Sequence, residues 1–310
     1  WFASQGIPES AIHHALAAGA VEKAADIVES YAMTAIIQYD LYNVVHWINQ
    51  LPDDYLLRRP RLGIYHSLAN ILLGRLDEVE EKLKLAERAI SLSKKQNQTI
   101  KDEEIMQRIV FSIRASIECL RTNYKGGIEL GLKTLIDLPE EDFYVFGFMN
   151  HILGYAYDLA GDLEASAASF LKGSKFAESL GYPKEVIFSL SERARILCMQ
   201  GKLLDAEAEY YQILEMANKL QVSMDFVVLA KSGLGEIYLE RNQIDKAELF
   251  FQDVLSYLTH IDILTVSWVH SVTLCSKLAK YMLARTNLVQ AKIFFENANR
   301  SMRNHNSYNN

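Results

Sequence analysis

Proline and glycine are the scarce residues of this chain: 5 Pro and 15 Gly among 310, where average usage would supply roughly 5% and 7%. Tight turns need a fixed or a positive φ, so a sheet-rich chain with many hairpins is excluded. The prolines (Pro8, Pro52, Pro60, Pro139, Pro183) stand beside apparent junctions and never inside a long periodic stretch. Cysteine is equally sparse. Cys119, Cys198 and Cys275 lie too far apart, and in an odd number, to form a disulfide framework or a zinc site. They read as reduced, buried thiols of a cytoplasmic protein. Excess positive charge is missing too: the net charge is −7 and the pI about 5.7, which argues against direct nucleic-acid contact. No apolar run approaches the ~20 residues that span a bilayer, and Trp1-Phe2-Ala3-Ser4-Gln5 is no signal peptide. The chain opens without Met and closes on an Asn-rich tail, as expected of a piece of something longer.

Half of the residues are apolar, enough for a large interior, and they are arranged as a repeat. The sharpest copy runs Leu153-Gly154-Tyr155-Ala156-Tyr157-Asp158-Leu159-Ala160-Gly161, then Ser166, Phe170 and Gly173. It reads as one helix, a turn at Gly161 and a second helix. Small residues stand where the two helices approach, and aromatics fill the space between. The arrangement returns at Ala194, Leu197, Gly201, Ala206 and Tyr210; at Leu234-Gly235, Asn242, Ala247 and Phe251; and at Leu278-Ala279, Thr286, Ala291 and Phe295. Weaker copies turn at Gly19, Gly74 and Asn123. The turns at 123, 161, 201, 242 and 286 are 38, 40, 41 and 44 residues apart. Equal spacing of helix pairs marks a helical solenoid, in which each pair buries its apolar face against its neighbours.

These residues resemble the tetratricopeptide repeat, which places a Leu-Gly pair and an aromatic on its first helix and Ala and an aromatic on its second. The fold class expected is all-α, a right-handed superhelical solenoid of tetratricopeptide-like pairs with helices longer than the standard motif. The first sixty residues narrow the resemblance. Ala15-Leu16-Ala17-Ala18-Gly19, then Trp47-Ile48-Asn49-Gln50-Leu51-Pro52, then Pro60-Arg61-Leu62 are similar to the junction that follows the nucleotide-binding part of MalT-like regulators, the ATP-dependent LuxR-type transcription activators. The resemblance implies a lead-in over residues 1–60, a superhelix over 61–300 and a polar tail or linker over 301–310. It also implies an inducer-sensing domain that gates multimerisation, joined to other domains of a parent regulator. This chain has no Gly-x-x-x-x-Gly-Lys-Ser/Thr loop, so ATP would belong to a separate N-terminal domain and no cofactor is expected here.

Catalytic signals are weak, and an enzyme is not expected. No Gly-x-Ser-x-Gly elbow occurs. Adjacent His13 and His14 point about 100° apart on a helix and cannot share a metal ion. Glu103-Glu104 and Glu140-Glu141-Asp142 suit the positive ends of helices, and Asp77 with Glu80 suits a capping box. The run Phe143 to Phe148 reads as the core side of a first helix with some rim.

One pattern points to binding. In such a solenoid the first helix of each pair lines the inner surface. Six residues before the last four turns stand Tyr155, Arg195, Glu236 and Lys280; ten residues before them stand His151, Ser191, Ser232 and Ser276. The same slots in two upstream copies hold Leu68 and Ile117, then Ile64 and Ile113. The polar ladder is a candidate effector or partner site on the concave face, for a small-molecule inducer or a peptide. The competing reading is a structural ion-pair network, Arg195 to Glu236 to Lys280. The apolar slots suggest an exposed groove covered by self-association or by a neighbouring domain. The alternative function is a protein- or peptide-binding scaffold unrelated to transcription.

Overall fold

The computed structural model describes residues 2, 5–38, 40–73, 75–95, 103–121, 123–136, 143–222, 224–260 and 268–307, with the side chains of 93–95, 120, 143–144, 225–226, 268–270 and 304–307 left aside. Trp1, the expected turn at Gly74, Pro139 and the acidic run Glu140 to Asp142 lie outside the described residues. Among the described residues there are sixteen helices and no strand, and no helix is long and apolar enough to cross a membrane.

The chain divides into two compact units, residues 1–117 and 118–310. The first contains α1 (Pro8–Ala17), α2 (Val21–Ile37), α3 (Leu41–Asn49), α4 (Asp53–Arg58), α5 (Pro60–Leu73) and α6 (Asp77–Lys95); the division falls within α7 (Glu103–Leu120). Helix α5 packs on α2, α3, α4 and α6. It is consequently buried almost all round, from Leu62 through Ile71, as a helix without a polar face must be. The sequence boundary expected near residue 60 therefore lies inside this unit. Near the start of α6, the Glu80 carboxylate takes Arg114 Nη1 at 3.0 Å.

The second unit stacks α8 (Tyr124–Leu135), α9 (Phe143–Leu159), α10 (Leu163–Ser179), α11 (Pro183–Met199), α12 (Leu203–Lys219), α13 (Met224–Glu240), α14 (Ile244–Leu258), α15 (Trp268–Ala284) and α16 (Leu288–Ser307). Helix α16 continues into the segment expected to be a tail. Each pair packs internally, α9 on α10, α11 on α12, α13 on α14 and α15 on α16, and first helices follow one another, α11 against α13 and α13 against α15.

The joints share one backbone motif. At Gly161 (φ 83°) the Gly161 N–H donates to the Asp158 carbonyl at 2.9 Å and the Asp162 N–H to the Tyr157 carbonyl at 2.8 Å. This Schellman pairing satisfies carbonyls that a helix end leaves orphaned. The same two bonds and a positive φ recur at Gly19, Gly181, Gly201, Gln221, Asn242 and Thr286. Asn123 differs: its φ is −86°, and its side chain caps α8 by accepting from the Gly126 N–H.

Between the helices, the aromatic nine residues after each turn fills one recurring space. Phe170, Tyr210 and Phe251 are 0–1% exposed. Each touches its own pair or the next first helix: a Cβ on Gly154 would meet the Phe170 ring at 2.7 Å, one on Gly235 the Phe251 ring at 2.6 Å, and one on Gly233 would run into the Tyr210 ring. Ile196 shares a buried cluster with Phe170, and Tyr281 stacks on Phe251 with ring centroids 4.7 Å apart. Phe295 holds the same register on α16 but is 60% exposed.

Candidate functional site

The apolar slots do not form a groove. Ile64, Leu68, Ile113 and Ile117 are 0–1% exposed. They are core residues; for Ile64 and Leu68 the cause is that the lead-in helices α2 and α3 surround α5, filling the side that a terminal first helix would leave open.

Two of the four positions ten residues before the turns are interior as well. Ser191 and Ser232 are 2% and 0% exposed. Ser232 Oγ donates to the Leu229 carbonyl at 2.8 Å, while Ser191 Oγ has no hydrogen-bond partner among the described residues. Small side chains at these positions let neighbouring helices approach. Ser276 is exposed. His151 is mostly covered. It shares a hydrogen bond with Ser189 Oγ, meets Phe188 edge to face at 5.1 Å, and has Glu185 at 3.8 Å from Nδ1. Burial lowers its pKa to about 4, against a smaller opposing pull from Glu192.

The second rung, six residues before the turns, carries the electrostatics. Tyr155 lies edge-on to Phe170 at 5.2 Å; burial, with Glu192 beside it, raises its pKa well above the usual phenol range. Arg195 on α11 donates to Asp158 on α9 at 2.7 Å and to Glu192 at 2.9 Å. Burial disfavours its charge, but Glu192 and Asp158 more than offset that and hold the guanidinium protonated. On α13, Glu236 accepts from Lys280 at 2.7 Å and faces Lys277 at 3.3 Å, both on α15. Burial would raise the Glu236 pKa, yet the two lysines lower it. The Glu236 hydrogen bond in turn raises that of Lys280, which remains 56% exposed at its side chain.

The expected network is thus present in two pieces. Arg195 ties α9 to α11, and Glu236 ties α13 to α15; no ion pair joins Arg195 to Glu236 among the described residues. Asp158, Glu192 and Lys277, which complete these pieces, were not singled out by register. Asp158 stands three residues before the Gly161 turn and Glu192 three before Arg195, so helical i, i+3 spacing was the available signal. Lys277 is three before Lys280.

Other groups offer less chemistry. Burial pushes the Cys119 thiol up to about 12 and those of Cys198 and Cys275 up to about 11, which disfavours the reactive thiolate. Among the described residues no three His, Cys, Asp or Glu side chains gather as a metal-ion site.

Solved structures share this fold at low identity. The apo form of RapI is similar with a TM-score of 0.61 and 12% identity, over 90% of this chain and 97% of that one. A Rap protein complexed with Competence and Sporulation Factor gives 0.52 and 9%, over 92% and 99%. BtubC (BKLC) from P. vanneervenii gives 0.53 and 17%, over 73% and 92%. At such identities the likeness establishes the helical-repeat fold. The family follows from sequence: residues 109–310, which hold every joint from Asn123 to Thr286, match the model of the MalT-like TPR region, and the chain belongs to that family.

Proposed function

We infer that this chain is the regulatory repeat domain of a MalT-like transcription activator, and that the first-helix face of residues 143–284 receives its effector. The family match supports the regulatory context. The observation that carries the site is the half-exposed pair Glu236–Lys280, a carboxylate and an ammonium at 2.7 Å on successive first helices. A ligand carrying its own charge or hydroxyl groups can compete for the Lys280 ammonium, whose side chain is 56% exposed, while the Glu236 carboxylate keeps Lys277 at 3.3 Å. The buried Arg195–Asp158–Glu192 group holds the neighbouring helices in register and serves as the frame. A Rap protein with a fold of this kind is complexed with Competence and Sporulation Factor, which supports a bound effector here over an inert scaffold. Ligand binding would act by shifting a population between resting and multimerising forms of the parent protein.

A thermal-shift screen of sugars, small acids and peptides tests this. A ligand at 100 times its Kd adds about 2.7 kcal/mol of stability. Calorimetry on Lys280→Ala and Glu236→Gln then locates the site: affinity is expected to fall at least about tenfold. A ligand that binds both variants with unchanged Kd removes the assignment. A protein segment in place of a small effector would be identified by a peptide hit that depends on the same two residues.

A further inference from the structure

Of the eight methionines, Met199 and Met302 are exposed, at 54% and 42%. Met106, Met149 and Met282 are buried and the other three half-buried. Met199, the last residue of α11, has a contact that sets it apart: Arg195 Nη1 donates to its sulfur at 3.3 Å. The two residues stand four apart, on one face of the helix. The guanidinium gives its other nitrogens to carboxylates, Nε to Glu192 at 2.9 Å and Nη2 to Asp158 on α9 at 2.7 Å. A thioether is a weak acceptor, so a largely covered cation is held by two strong acceptors and one weak one. The equivalent slots, four residues after Tyr155, Glu236 and Lys280, hold Leu159, Glu240 and Ala284. Among the four slots, sulfur stands where the arginine does.

We propose that Met199 is a reversible oxidation site for hydrogen peroxide, and that Arg195 holds the resulting sulfoxide. One lone pair of the sulfur faces Nη1, which leaves the other to solvent. That lone pair attacks one peroxide oxygen, the O–O bond breaks, and the departing oxygen carries off the proton as water. Sulfur gives up two electrons and the peroxide accepts them. Rotation about the Cγ–Sδ bond then turns the new S–O dipole toward Nη1, where a charge-assisted hydrogen bond replaces the weak contact. Little apolar burial is lost, because the side chain is already exposed; in a core methionine the same change disrupts packing. Glu192 and Asp158 keep Nε and Nη2, so oxidation tightens the tie from α11 to α9. A methionine sulfoxide reductase restores the thioether. The three thiols compete poorly, since burial holds them protonated. The site does not depend on the effector reading.

Hydrogen peroxide titration of the whole chain, followed by peptide mass spectrometry, is expected to oxidise Met199 and Met302 at least about tenfold faster than Met149. Arg195 shields one lone pair, so the Met199 sulfoxide should form with one epimer in excess and the Met302 sulfoxide as a near-even mixture. Reductases specific for each epimer measure the split. Met199→Gln supplies an oxygen acceptor at the same place without an oxidant. Its urea midpoint relative to Met199→Leu should be higher with Arg195 present than in an Arg195→Met background, a cycle that isolates the contact. The peroxide readouts keep Arg195 and stand if Arg195→Met folds poorly. Oxidation of Met199 no faster than Met149 overturns the proposal. So does an even epimer mixture at Met199, or a Gln-against-Leu difference that is the same in both backgrounds.

Discussion

Phe251 and Phe295 are the same residue type in the same register, nine positions after Asn242 and Thr286. One is 0% exposed and the other 60%. A Phe side chain offers about 200 Å² to bury, so the two differ by about 120 Å², worth about 3 kcal/mol at ~25 cal/mol/Å². Phe251→Ala also leaves a cavity between Gly235 and Tyr281, and truncations of this kind cost about 3–5 kcal/mol. We expect a loss of about 4 kcal/mol for Phe251→Ala and about 1 kcal/mol for Phe295→Ala. Urea unfolding followed by far-UV circular dichroism measures both, at a concentration where sedimentation shows monomer, so that association does not contribute. Equal losses, or a larger one at 295, would refute the argument that the following first helix creates the burial. A change in the slope of free energy against urea would show that the array no longer unfolds as one unit, and the midpoints would then be compared segment by segment.

Three further outcomes are expected. Thr286 is β-branched at φ 57°, a conformation that costs a non-glycine residue about 1–2 kcal/mol; Thr286→Gly should stabilise the chain by about 1 kcal/mol in urea titration, and a destabilisation would argue against strain at that joint. Arg195→Met removes the cation between Asp158 and Glu192, whose side chains are 13% and 3% exposed, and should cost about 3 kcal/mol, with Asp158→Asn in the same background recovering part of it. His66 and His151 both have pKa values lowered to about 4, by burial first, with Lys82 adding to the effect at His66. Their ordinary value is 6.5, so the unfolded chain binds protons that the folded chain refuses. Stability is then full above pH 6.5 and falls as pH drops toward 4, by up to about 1.4 kcal/mol per pH unit per histidine. His151→Gln should flatten that slope, and an unchanged slope would show that His151 does not contribute.

The pair joints were legible because a turn after a long periodic helix needs a left-handed residue, and glycine or asparagine announces one. Gly161, Gly201, Gly19 and Asn242 were readable for that reason, and Thr286 by register alone. Gly181 and Gln221 escape a pairwise register because they connect one pair to the next. Helices α3 and α4 fell outside the pairing scheme altogether. The site was less legible. Register locates a face only if every first helix has equivalent neighbours; α5 is enclosed by the lead-in helices α2, α3 and α4 together with α6, where α13 packs on repeat helices alone, so Ile64 and Leu68 became core. Ser191 and Ser232 are polar in composition but small in function, and burial rather than hydrogen-bonding capacity explains their place. Arg195, Glu236 and Lys280 were legible from their common register six residues before the turns; Asp158, Glu192 and Lys277, which pair with Arg195 and Glu236, each stand one helical turn from a ladder residue.

From Gly161 to Asn242 the left-handed residues sit at 161, 181, 201, 221 and 242, intervals of 20, 20, 20 and 21, and Thr286 follows 44 residues later. The true period of this region is one helix and its joint, and the forty-residue pair is two such steps. Each joint is closed by main-chain bonds that ask only for a tolerated φ. Side chains can therefore drift to the 9–17% identity seen among the structural neighbours while the spacing of helices, and with it the surface they present, is kept by the backbone.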